Sequence, residues 1–147
     1  MLIVLAICLV AVGVNTLIHY EVLRKLNDTL PRLEIPGRSK LLVVIFATFF
    51  AHLIEMAVWG AFLYALVLYG GVGTLMGDHK ITLLDCIYFS AETYTSLGFG
   101  DIRPHGDLRL LVGVEALNGL LLIAWSASFT YLSMERFWSL GKGRDKA

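Results

Sequence analysis

Residues Thr93–Asp101 read TYTSLGFGD, and the chemistry they offer is that of oxygen ligands rather than of a nucleophile. Gly98 and Gly100 alternate with Leu97 and Phe99, and glycine reaches backbone conformations closed to other residues. A backbone freed in this way turns successive carbonyls to one side, a ladder of oxygens suited to a cation. Thr95 and Ser96 add hydroxyl oxygens at the same end. Upstream, Thr82 and Asp85 have the spacing of a capping box, which predicts a helix over about Leu83–Tyr94. The negative end of that helix would face the ladder and favour a cation held there.

A ladder of this kind needs walls, and the composition says what the walls are made of. The chain has 147 residues, 57% hydrophobic and 16% charged, with a mean hydropathy of +0.72, too apolar for an ordinary small soluble domain. Three apolar runs are long enough to cross a ~30 Å hydrocarbon core as helices: Leu2–Tyr20, Leu41–Tyr69 and Leu110–Met134. No Lys or Arg precedes the first run, so it reads as a retained span rather than a secretory leader. The run Ile81–Ala91 is too short to cross and suits a re-entrant segment. Non-helical backbone at that depth is tolerated only where protein buries it or water lines it.

Charge placement gives an orientation. With the N-terminus outside, the segments before the second run and after the third are cytoplasmic. They hold Arg24, Lys25, Arg32, Arg38, Lys40, Arg136, Lys142, Arg144 and Lys146, nine of the twelve basic residues, as the positive-inside bias requires. Residues 1–20 are thus expected to be an N-terminal transmembrane helix and 21–40 a cytoplasmic or interfacial linker. Pro31 and Pro36 limit helix there, which leaves a short interfacial helix over about Glu21–Leu30. Residues 135–147 are expected to be a cytoplasmic tail, disordered in its polar GKGRDKA end. Cys8 and Cys86 read as small hydrophobes rather than a disulfide.

In this setting ETYTSLGFGD resembles the pore signature of potassium channels, T-V-G-Y-G followed by Asp, and DIRP after it resembles the way that family leaves its filter. The resemblance covers roughly Leu41–Met134 and is to the small bacterial type, here with an extra N-terminal helix. It implies an all-α membrane protein with three transmembrane helices per subunit. The pore domain, 41–134, would hold an outer helix at 41–69, a re-entrant pore helix at 82–94, a filter at 95–101 and an inner helix at 108–134. It also implies a homotetramer. Thr95, Ser96, Leu97, Gly98, Phe99 and Gly100 would form the ion-binding stretch, with K+ on the carbonyls of Ser96, Leu97, Gly98 and Phe99.

Residue by residue, Ser96 keeps the hydroxyl of the family's threonine, and Leu97 keeps an apolar side chain behind the strand. Phe99 removes the phenol hydroxyl that commonly ties filter to pore helix. Glu92 and Asp101 correspond to two carboxyls that share a proton behind the filter, since two carboxylates in one dry site do not both ionise cheaply. Asn118 would lie near the water-filled cavity, and Gly119, close to the family's hinge position, serves either bending or close packing. Arg103, His105 and Arg109 are expected to pair with Asp101, Asp107 or Asp78.

Three ionisable residues fall where lipid should be: His52 and Glu55 on the second run and Glu115 on the third. Either they pair among themselves, or with Asn118, Asn15 or His19, as helix glue, or they couple protons to a gate. His19, His52, His79 and His105 lack the linear spacing of a metal site, and no hydrolase or redox motif is present, so no enzyme activity is expected. No span carries an arginine ladder, which argues against voltage gating. The zero net charge suggests no nucleic-acid partner, and no small-molecule substrate or cofactor besides K+ is implied. The leading reading is a potassium channel of the cell membrane surrounded by lipid; the alternatives are a weakly selective cation channel and a non-conducting membrane subunit or sensor.

Overall fold

The computed structural model describes residues 2–144, with side-chain surroundings for 4–137. Helix α1 spans Leu2–Thr29, α2 Gly37–Ala65, α3 Leu83–Tyr94 and α4 Leu108–Arg144, and two short strands, β1 Gly73–Met76 and β2 Arg103–Gly106, lie between them. Three segments, Val4–Arg32, Gly37–Gly70 and Leu108–Phe137, are long and apolar enough to cross a membrane. The protein is an all-α multi-pass membrane protein with a short helix, α3, set between the second and third spans.

Each long helix buries one stripe. On α1 it runs Val4, Cys8, Ala11, Asn15, His19, Leu23, Leu26 and Leu30 at its end; on α4 it runs Leu108, Leu111, Glu115, Asn118, Leu122, Ser126, Ser133 and Phe137. Steps of three and four keep those side chains on one face. Because the stripe of α1 continues without a break past Tyr20, the helix does too. The separate interfacial helix expected at Glu21–Leu30 does not exist; a short 3₁₀ turn, Leu30–Arg32, with Pro31 at its start ends the element. Residues 135–144 likewise continue α4 as helix, a correction to the expected tail, whose last residues, 145–147, lie outside the described ones.

Asn15 and His19 of α1 and Glu115, Asn118, Ser126 and Ser133 of α4 sit on these stripes and so face protein instead of lipid. α1 packs on α2 and α4, and α3 packs on α2 and α4 from the other end. Glycines set the closest approaches. A Cβ on Gly60 would stand 2.6 Å from Cα of Ile87, and one on Gly119 would stand 2.2 Å from the Tyr94 carbonyl oxygen. Between apolar helices in lipid, such backbone proximity and interhelical hydrogen bonds supply the association. Cys8 and Cys86 are both buried and unpaired.

A π-helical turn, Leu66–Gly70, prolongs α2, and left-handed Gly71 ends it. The antiparallel ribbon that follows was not expected: Gly73 pairs with Gly106 and Met76 with Arg103. It joins the chain entering α3 to the chain leaving the glycine-rich strand. Its Leu75 packs into the core with Ile102 and Leu108, so both ends of the re-entrant segment are anchored to the same ribbon.

Candidate functional site

The site begins at the N-terminus of α3. Thr82 Oγ1 accepts from Asp85 N and the Asp85 carboxylate accepts from Thr82 N, so the capping box is complete. The Thr82 hydroxyl, hydrogen-bonded to Asp85, holds that carboxyl below its ordinary range. His79 adds an exposed contact to Asp85 at 3.2 Å.

At the other end, the helix closes with two reciprocal bonds: Ser96 N donates to the Thr93 carbonyl (3.0 Å) and Leu97 N to that of Glu92 (2.8 Å). This pattern requires a left-handed residue after the cap, and Ser96 fills it at φ 59°. Positive φ then recurs at every second position, at Gly98 (57°) and Gly100 (82°), while Leu97 and Phe99 stay negative. Alternation of hand brings successive peptide carbonyls to one side of a strand. Among the described residues, no hydrogen bond within the chain uses the carbonyls of Ser96, Leu97, Gly98 or Phe99. Unengaged backbone oxygens at membrane depth are costly, so this stretch has acceptors to offer.

Side chains along the strand divide. Thr95 Oγ1 turns back to donate to the Ala91 carbonyl at 2.7 Å. Leu97 and Phe99 are 61% and 68% exposed in a single chain. Arg103 Nε donates to the Gly100 carbonyl at 3.0 Å, a partner other than the carboxylates expected for it. Glu92 is buried and its Oε1 has no partner in the chain. Asp101 Oδ1 accepts from Ile102 N, and the hydroxyl of Tyr88 interacts with both carboxyls. Tyr88 was missed in the sequence; its place one helical turn before Glu92 was the available signal.

Behind α3 lies a second polar assembly. Glu55 on α2 is fully buried, with Oε1 2.9 Å from His19 Nδ1 and Oε2 3.0 Å from His52 Nδ1. The Tyr94 hydroxyl donates to Oε2 at 2.5 Å. Ser126 of α4 lies 3.0 Å from His52 Nε2 and 3.3 Å from His19 Nε2. The ligand atoms of His19, His52 and Glu55 lie within 4.8 Å of one another. Linear spacing conceals this group because His19 arrives from a different helix.

Glu115 stands apart from that assembly. Ser90 Oγ lies 2.5 Å from Glu115 Oε1 and 2.8 Å from the Met56 carbonyl. A hydroxyl has one proton and a carbonyl can only accept, so both contacts are satisfied when Glu115 carries a proton and donates it to Ser90. Asn118 is 5% exposed and accepts from Trp59 Nε1 at 3.4 Å, which makes it a packing residue of the α2–α4 contact rather than a cavity-lining one. Gly119 meets Tyr94 so closely that close packing accounts for it.

A family model described as Ion channel matches residues 39–136. Searches of curated proteins and of solved structures find no match.

Proposed function

The chain belongs to the ion channel family, its matched region running from residue 39 near the start of α2 to residue 136 in α4, and on that premise we propose that it is a potassium-selective channel. Four copies would place the Thr95–Gly100 strands around a common axis, where the carbonyls of Ser96, Leu97, Gly98 and Phe99 replace the hydration shell of K+. The alternation of positive and negative φ from Ser96 to Gly100 carries the reading, because such alternation lets successive carbonyls turn to one side and none of the four is engaged within the chain. The C-terminal end of α3 adds its negative dipole behind them. Glu92 and Asp101, linked through Tyr88, would brace the strand and share a proton. The N-terminus lies outside and the basic segments between α1 and α2 and at the end of α4 lie in the cytoplasm.

Flux from liposomes loaded with K+ and diluted into Na+ tests the proposal. Uptake of a tracer cation driven by the K+ gradient and blocked by Ba2+ is the expected result. Exposed Leu97 and Phe99 favour one second reading, a loosely held filter that passes Na+ as well; dissipation of Na+ and K+ gradients at equal rates would support it. A protein that sustains no flux would instead be a non-conducting subunit.

A further inference from the structure

The hydrogen bonds around Glu55 do not close with neutral histidines. Both Nδ1 atoms face the carboxylate and both Nε2 atoms face Ser126 Oγ. If each ring is neutral and donates from Nδ1, both Nε2 atoms are bare, and the single Ser126 proton serves only one of them. The group therefore needs one more positive charge at its centre. A second proton on one ring supplies it, and so does a metal ion.

We propose that His19, His52 and Glu55 form a binding site for a divalent transition metal of the Zn2+ class. Two imidazole nitrogens and a carboxylate oxygen are a donor set suited to such ions and poorly suited to Mg2+ or Ca2+. With the metal on both Nδ1 atoms, each ring carries its N–H at Nε2, and the two lone pairs of Ser126 Oγ accept both. The outer hydrogen bonds that orient metal-bound histidines are thus in place. The surplus imidazole proton leaves to solvent. The Tyr94 hydroxyl, 2.5 Å from Glu55 Oε2 and 2.9 Å from His52 Nδ1, stands as the fourth ligand. Contacts of 2.9 and 3.0 Å need to open only to about 3.3 Å to match the edge of a tetrahedral site with ~2.0 Å bonds. Such an ion joins α1, α2 and the last residue of α3, immediately before the glycine-rich strand.

Chelator-stripped, tag-free protein titrated with Co2+ in detergent tests this without reference to flux. One Co2+ per chain with the visible bands of a tetrahedral site is expected. His19→Ala and Glu55→Gln abolish those bands, whereas His79→Ala and His105→Ala keep them. Ser126→Ala removes no ligand and leaves a small side chain, so it reports even where a ligand variant fails to fold; its affinity should fall about tenfold. Absence of saturable binding to the wild-type chain overturns the proposal and leaves a proton-bearing network. Binding unchanged in both His19→Ala and Glu55→Gln, or in Ser126→Ala, overturns it as well.

Discussion

The two sides of α3 are finished in opposite ways. Behind it, toward α1, α2 and α4, the chain supplies its own partners: Glu55 is met by His19, His52 and Tyr94, and Glu115 by Ser90. In front, the carbonyls of Ser96, Leu97, Gly98 and Phe99 are unengaged and the Leu97 and Phe99 side chains uncovered in the single chain. A buried polar group without a partner costs several kcal/mol in a membrane, so the two sides have different histories of satisfaction. The rear takes its partners from within one subunit, except at Asn15 Oδ1 and Glu115 Oε2 and for the one positive charge that the two histidines call for. On the proposed function, the front is completed by further copies and an ion. Stability and ion conduction should therefore separate by mutation, the rear governing the first and the front the second.

The largest effect on folding should come from Glu55→Ala, which strands two histidines and the Tyr94 hydroxyl; removing one partner of a buried charged pair costs about 3–5 kcal/mol. Thermal melting in detergent checks this, and a melting temperature close to wild type would break the comparison. Next is Gly119→Ala. Its Cβ would meet the Tyr94 carbonyl oxygen at 2.2 Å, and overpacking of this kind costs about 1–3 kcal/mol. Because the clash falls on the last residue of α3, flux should fall together with the melting temperature.

Gly98→Ala sharpens the contrast from the front. Nothing within 4 Å opposes the new Cβ, but the residue stands at φ 57°, where an L side chain costs roughly 1–2 kcal/mol of local strain. The subunit should melt below wild type by no more than that strain accounts for, less than Gly119→Ala or Glu55→Ala, while K+ flux in liposomes drops to the level of empty vesicles. The smallest effect is expected at the entrance of α3. Because the Asp85 carboxyl is held below its ordinary range by Thr82, the capping box stabilises the helix at every pH above the usual carboxylate value of about 3.9. That contribution is lost as pH falls through the depressed value. A melting curve of Thr82→Ala against wild type should show a small difference at pH 7 that vanishes in strong acid.

The front of α3 was largely legible in the sequence and the rear was not. Thr82 and Asp85 are three residues apart, and Gly98 and Gly100 two apart, so local chemistry announces the cap and the left-handed positions. The three spans followed from run length. The contact of His19 with Glu55 crosses 36 residues and depends on how α1 packs, which no local pattern encodes. The same holds for the ribbon pairing Gly73–Met76 with Arg103–Gly106, four residues long and without apolar alternation. Asn118 was misread because periodicity gives a face of α4 but does not say which neighbour that face meets. The continuation of α1 past Tyr20 was hidden by its charges, which lie on the exposed side while Leu23, Leu26 and Leu30 hold the buried stripe.

The central claim is that K+ sits on the carbonyls of the strand in front of α3. Solid-state NMR of liposome-embedded protein, with ¹³C at the carbonyls of Gly98 and Phe99 and ¹⁵N in the histidine rings, tests it directly when K+ is exchanged for Na+. The account predicts that the Gly98 and Phe99 carbonyl resonances shift on exchange while the His19 and His52 ring resonances stay in place. Carbonyl spectra identical in the two ions would contradict it.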